Sequence, residues 1–208
     1  MAGSESANSR YVRHSRDDVA DAALRILDEY GLPDLTMRRL ASALEVQPSA
    51  LYWHFPNKQT LLAELADRIV ARPAPQVDPE AAWVDRTRAE SVGLRDALLA
   101  YRDGAEVVSS TFAFGLGASA PLNRLTAAIA GGGFDAETSR RAATALLHFI
   151  LGHVSHEQQR LQYDSLGVLT DGATPDAVAE GEDQAEAFAF GLTLFVTGLD
   201  RSTTRLMQ

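Results

Sequence analysis

Gln47, Pro48, Ser49, Tyr52, Trp53, His54 and Lys58 lie in one short stretch, QPSALYWHFPNK, and their side chains suit nucleic-acid contact. A glutamine amide matches the N6/N7 edge of adenine. Phenol, imidazole and ammonium groups bond phosphate oxygens, which fixes register without reading sequence. On a short helix these residues line the exposed edges, while Ala50 and Leu51 anchor it below. Aromatic rings facing water gain nothing from burial, so a displayed Tyr-Trp-His run implies a partner. Tyr52 has a second reading, a packed ring with its hydroxyl on phosphate. Phe55 reads as a core residue against the first helix.

Helical periodicity supplies the elements that position this stretch. Ser15, followed by Asp17 and Asp18, is an N-cap signal, and Val19, Ala22, Ala23, Ile26 and Leu27 recur behind it at helical spacing. Gly31 ends that helix. Thr36 caps a second helix with Met37, Leu40, Ala41 and Leu44 inward and Arg38, Arg39 and Ser42 outward. After a turn at Glu45-Val46 comes the aromatic segment, with Pro48 in its first turn, where a missing N–H costs little. Asn57 caps a fourth helix to about Val70, with Leu61, Leu62, Leu65 and Ile69 on one face. The second and third helices stand at helix-turn-helix spacing, in which the later helix enters the major groove. That geometry turns Gln47 to adenine and Arg38 to guanine or phosphate. Thr36, Tyr52, His54 and Lys58 then face the sugar-phosphate backbone. For Arg39 a solvated surface role is expected.

Composition sets limits. The 208 residues carry a net charge of −9, which opposes phosphate as a whole. Charge is nearly balanced through residue 72, however, and the acidic surplus lies beyond it. Arg10, Arg13 and Arg16 make the start locally basic, and the chain's single lysine, Lys58, directly follows the aromatic run. Residues 1–14 read as a flexible basic arm. No cysteine is present, which excludes disulfides and thiolate metal sites. The N-terminus has no signal-peptide core, and no apolar run reaches the ~20 residues that span a bilayer. A cytoplasmic protein with no membrane partner is the expectation.

The second part of the chain begins after ARPAPQVDP (71–79), a proline-marked linker. A fifth helix is expected from about Pro79 to Asp103. Beyond it, Gly115, Gly117, Pro121 and the GGGF run at 131–134 punctuate the chain into further segments. AATALLHFILGHV (142–154) and AFAFGLTLFVTGL (187–199) are apolar almost all round. Such helices must be covered on every side, which predicts a homodimer through a four-helix interface built from residues about 136–160 and 186–205. The acidic, turn-rich segment between them, 170–184, reads as mobile. The domain expectation is an arm at 1–14, a DNA-binding unit at 15–70 and a ligand-binding, dimerising unit at 71–208.

LTMRRLASALEVQPSALYWHFPNKQTLL resembles the DNA-binding domain of TetR/AcrR-type one-component regulators, a match over about residues 15–70. ALLAYRDGAEVV (97–108), GGGF (131–134), HFILGHVSHEQQ (148–159) and FAFGLTLFVTGLD (188–200) resemble the C-terminal domain of the TetR class. The resemblance implies an all-α homodimer with an N-terminal three-helix helix-turn-helix domain and a C-terminal helical ligand-binding and dimerisation domain. It implies a repressor on a pseudopalindromic operator, released when a small molecule fills a cavity near the subunit interface. One departure is Glu45, where the family commonly carries glycine in the turn. A non-glycine residue at φ > 0 there costs on the order of 1 kcal/mol.

Carried over residue by residue, the cavity differs from that of the tetracycline-binding relatives, which hold the drug as a magnesium chelate. Thr111 and His148 match polar lining residues. The metal-binding histidine is replaced by Val108, and the carboxylate on metal-bound water by His156. Glu90 and Leu125 stand at the amide positions, Leu94 at the aromatic one and Val70 at a polar one by the mouth, with Leu151 as apolar lining. Valine and leucine cannot ligate Mg²⁺, so a less polar organic effector is expected, and no cofactor. His148, His153 and His156 lie on one helix without a zinc motif and read as polar lining, not as a metal site. Two other functions compete: an effector-independent DNA binder, and an enzyme using the His and Glu groups of the cavity. No nucleophile elbow, phosphate loop or catalytic carboxylate pair supports the enzyme.

Overall fold

The computed structural model describes residues 14–71, 78, 80–165 and 180–206, and the side chains of 163–165, 180–183 and 203–206 stay outside that description. All but the last residue of the expected arm (1–14), most of the linker (72–77 and 79) and residues 170–179 of the acidic segment (170–184) fall outside the described residues. Those described form helices and turns, with no strand among them. The all-α expectation holds.

The first helix, α1 (Arg16–Tyr30), starts in a capping box. The Ser15 hydroxyl accepts the Asp18 N–H, and the Asp18 carboxylate accepts the Ser15 N–H at 2.7 Å. The Ser15 N–H and, beside it, the Ser15 hydroxyl both donate to this carboxylate, and these bonds hold the Asp18 carboxyl below the usual range. Gly31 closes the helix at φ +85. Helix α2 (Met37–Ala43) is capped by Thr36, whose hydroxyl accepts the Arg39 N–H. Helix α3 (Pro48–Leu51) has Pro48 at its first position. Helix α4 (Lys58–Val70) begins in a second capping box, Asn57 with Thr60. Val19, Leu27, Leu40, Leu51, Phe55, Leu61 and Leu65 close one core between these four helices, each at most 1% exposed.

The body comprises α5 (Trp83–Leu99), α6 (Gly104–Ala113), α7 (Ser119–Ala130), α8 (Ala136–Ser165) and α9 (Glu180–Leu206). The fifth helix is shorter than expected at both ends. Its C-terminus is cut by a tight corner in which Asp103 adopts φ +56, and a Cβ on Gly104 would collide with the Leu98 carbonyl. From α8, the buried Gln158 stitches the corner shut, donating to the Leu98 and Tyr101 carbonyls and accepting the Ala105 N–H. The GGGF run is also accounted for. Trp83 and Phe134 meet edge-to-face at 5.2 Å, and a Cβ on Gly132 would strike both rings.

The head, α1 to α4, is fastened to the body at separate points. Asp103 Oδ2 accepts the Leu32 N–H, and the Arg102 guanidinium donates to the Glu29 carbonyl. On the α4 side, Asp67 accepts the Ala118 N–H at 2.7 Å, and Arg124 donates to the Val70 carbonyl.

Within α8 and α9 the apolar helices are buried on one side only. Leu146, Leu147, Ile150, Val154, Phe188, Leu192 and Val196 face the core. Ala145, His148, Gly152 and His156 of α8 and Phe190, Leu194 and Gly198 of α9 face outward, with Phe190 66% and Leu194 58% exposed.

Candidate nucleic-acid interface and effector pocket

The aromatic segment is less helical than its sequence suggests. Only Pro48–Leu51 is helix, with Gln47 as N-cap, and Tyr52 to His54 form the hydrogen-bonded turn after it. The His54 and Phe55 N–H groups both return to the Leu51 carbonyl. Leu51 and Phe55 are the buried anchors, and between them Trp53 is 91% exposed. Tyr52 is about half exposed, which favours contact over packing. Ala50, expected as an anchor, is only half-buried.

The turn before α3 carries the expected strain. Glu45 sits at φ 55, and its neighbours are tied by Val46 N–H to the Ala41 carbonyl. His14 Nε2 bonds the Leu44 carbonyl at 3.0 Å, so the end of the N-terminal segment lies against this same turn.

Placement sorts the remaining candidates. Gln47, Pro48, Ser49, Thr36 and Arg38 are exposed, and the Gln47 side chain is not consumed in capping its own helix. Arg39 is not simply solvated. Its guanidinium lies 3.6 Å above the Tyr30 ring and pairs with Asp34 at 2.6 Å, which ties it to the head. Lys58 opens α4, and His54 is half-buried. The head thus exposes an arginine of α2, the glutamine amide that starts α3 and two rings of the turn after it, groups suited to duplex contact.

Family comparison agrees with this geometry. Residues 19–65 match the family described as bacterial regulatory proteins, tetR family, and residues 74–203 match the tetracyclin repressor-like C-terminal domain. The chain belongs to the TetR family. It is 33% identical to the tetracycline repressor protein class D of Escherichia coli, over 94% of each chain. The crystal structure of Mycobacterium smegmatis BioQ superposes with a TM-score of 0.79 at 39% identity, covering 90% of this chain and 98% of that one. BioQ solved with its double-stranded DNA operator gives a TM-score of 0.74 at 38% identity, with the same coverage. The chain is a DNA-binding, ligand-responsive transcriptional repressor of this family, whose regulators are typically not enzymes. Among the described residues no helix is long and apolar enough to cross a membrane.

In the TetR-family body, the residues carried over as effector contacts separate into two groups. Val70, Leu94, Val108, Leu125 and Leu151 belong to the buried apolar core, contributed by α4, α5, α6, α7 and α8. Thr111 is buried too, and its hydroxyl is satisfied by the Val107 and Val108 carbonyls of its own helix. Glu90 is half-buried and paired with Arg124 at 3.0 Å. His148 and His156 point away from this group, outward from α8, although the His148 ring meets Phe112 edge-to-face at 6.2 Å. His153 is turned to α9, bonding the Gln184 carbonyl and touching Phe149 and Phe188.

Sequence reasoning missed Arg124, which joins Glu90 to the end of α4, and Arg86, whose buried Nε has no partner among the described residues. Neither residue lies near its partners or surroundings in sequence, so local spacing carried no signal for them.

Proposed function

We propose that this repressor acts as a homodimer on a pseudopalindromic operator and is released by a weakly polar organic effector. The observation that carries the DNA reading is the uncommitted Gln47 amide at the start of α3, beside exposed Arg38, Tyr52 and Trp53. Gln47 and Arg38 read base edges; Thr36, Tyr52, His54 and Lys58 hold phosphates; Pro48, Ser49 and Trp53 complete the fit.

Dimerisation is supported by the outward face of α8 and α9. Gly152 and Gly198 lie mid-helix with no atom within 4 Å of where a Cβ would stand. Glycine there costs ~1 kcal/mol of helix stability without an intramolecular reason, and a close-packed partner helix supplies one. The exposed Phe190 and Leu194 beside Gly198 need the same cover. Two copies of α8 and α9 form the four-helix interface, and family matches over 19–65 and 74–203 support a division into a DNA-binding unit at 15–70 and a ligand-binding, dimerising unit at 71–208.

The effector site gathers Leu94, Val108, Leu125 and Leu151 as walls and Glu90 and Thr111 as polar groups, with His148 and His156 at the subunit edge. An apolar wall with few orienting groups favours an organic ligand without a magnesium ion. Effector binding shifts the population to a form whose heads no longer match the half-site spacing.

The test uses a duplex selected by the wild-type chain from a random-sequence pool. Gln47→Ala with Tyr52→Ala should abolish specific binding while light scattering still reports a dimer. Unchanged affinity would remove the assignment of the α3 edge.

A further inference from the structure

We infer that Arg16 is a positioning residue of the DNA interface, a clamp that holds the Tyr52–His54 turn in place and does not itself contact phosphate. The inference rests on the DNA-binding reading of that turn. A helix of four residues cannot hold its own geometry, and the turn after it hangs on the Leu51 carbonyl, which accepts the His54 and Phe55 N–H groups. Two buried side chains, Leu51 and Phe55, anchor the backbone on either side of Tyr52, Trp53 and His54. Those contacts leave the His54 carbonyl, at the end of the turn, to be held from another element.

Arg16, the first residue of α1, supplies the tether. Its Nη1 donates to the His54 carbonyl at 3.1 Å, and its guanidinium lies 4.4 Å from the centre of the Phe55 ring. Nε and Nη2 both donate to Glu64 Oε2, at 3.2 and 2.8 Å. Glu64 is in turn held through its other oxygen by Arg68, which bonds Asp17 and Asp21 of α1. One planar fork therefore joins α1, the end of the α3 turn and α4, and a chain of ion pairs running from Glu64 through Arg68 back to Asp17 and Asp21 of α1 fixes its orientation. A lysine ammonium cannot do this, because it lacks the fork and the flat face.

The competing role is direct phosphate contact, which the half-exposed side chain of Arg16 would permit. Salt dependence separates the two, since each lost phosphate contact lowers the slope of log K against log salt by ~0.9.

The experiment uses the full-length protein and the duplex that wild type selects from a random pool. Arg16→Ala should weaken binding about tenfold, the size of one charge-assisted hydrogen bond, with the salt slope unchanged. Arg16→Lys should lose nearly as much, although its charge is kept. Glu64→Gln should weaken binding several-fold, and the double variant should bind no more weakly than Arg16→Ala alone. A second readout needs no DNA. With Trp83→Phe, Trp53 is the sole tryptophan of the chain, and time-resolved anisotropy should show a larger fast component after Arg16→Ala. A salt slope smaller by about two per dimer, or unchanged affinity and anisotropy, would overturn the clamp. If wild type selects no duplex, the DNA reading fails, while the anisotropy still reports on the clamp.

Discussion

The carboxylate of Asp103 accepts the backbone N–H of Leu32 at 2.7 Å, across 71 residues of chain. Its other oxygen accepts the side-chain amide of Gln162, so one residue in a left-handed conformation joins the α1–α2 turn of the head to α8 of the body. Gly31 makes the approach possible, since a Cβ there would stand 2.8 Å from the Asp103 oxygen.

Removing that carboxylate leaves a part-buried N–H and an amide without their acceptor. Asp103→Ala should therefore cost ~2 kcal/mol of stability in urea titration. Asp103→Asn should cost less than half as much, because Gln162 can turn its amide to face the new NH₂ group. Equal losses for the two variants would show that the joint needs the charge and not merely an acceptor.

Glu45 occupies a position where glycine is free to adopt φ 55 and glutamate is strained. Its side chain is exposed. Glu45→Gly should raise stability by ~0.5–1 kcal/mol, with part of the strain relief offset by the looser unfolded chain. A lower urea midpoint would mean that the Glu45 side chain contributes more than its strain costs.

These two positions mark what could be read from sequence and what could not. Ser15, Gly31, Thr36, Pro48 and Asn57 act within one helical turn, so their capping roles are visible in local spacing, whereas the strained turn at Glu45 was legible only from the family resemblance, in which glycine commonly holds that position. Asp103 with Leu32, Arg16 with Glu64 and Arg124 with Glu90 join residues 71, 48 and 34 apart, and no periodicity encodes them. The expected fifth helix overran for the same reason. Its end is set by Gln158, contributed by α8. The burial of Leu94, Val108 and Leu125 was legible because apolar residues at helical spacing face the core in any helical packing, whereas the outward turn of His148 and His156 depends on which face of α8 meets the body.

A bulky charge at either mid-helix glycine should block the proposed subunit contact while leaving the protomer folded, since both sites are open within it. Gly152→Arg and Gly198→Arg should be monomeric by light scattering, with helical circular dichroism retained and operator binding lost. A dimer that survives both substitutions would place the interface elsewhere.

Glu64 links pH to the stability of the head. Its hydrogen bond from Arg16, with a further one from Arg68, holds its carboxyl below the usual glutamate range against the opposing effect of burial. A carboxyl depressed in the folded state stabilises it above the unfolded-state value, and that contribution is lost as pH falls through the folded value. The stability difference between wild type and Glu64→Gln should be full at neutral pH and shrink on acidification below the usual glutamate range. A difference that does not change with pH would mean that the ion pair contributes nothing to the acid limb.

Magnesium–tetracycline should not release the operator. Leu94, Val108 and Leu125 are at most 2% exposed and offer no oxygen or nitrogen to a hard cation. The one hydroxyl among the pocket candidates, on Thr111, is already bonded to two carbonyls of its own helix. Glu90, the carboxylate among the pocket candidates, is committed to Arg124 at 3.0 Å, and freeing it for a cation would leave that half-buried guanidinium without its counter-ion. A neutral ligand that fills the apolar wall meets no such cost. Fluorescence anisotropy of a labelled operator should stay unchanged on adding the drug with Mg²⁺, and should fall with a weakly polar ligand that also raises the melting temperature. Release at micromolar drug in the presence of Mg²⁺, abolished by chelation of the ion, would show that the pocket rearranges to supply oxygen ligands.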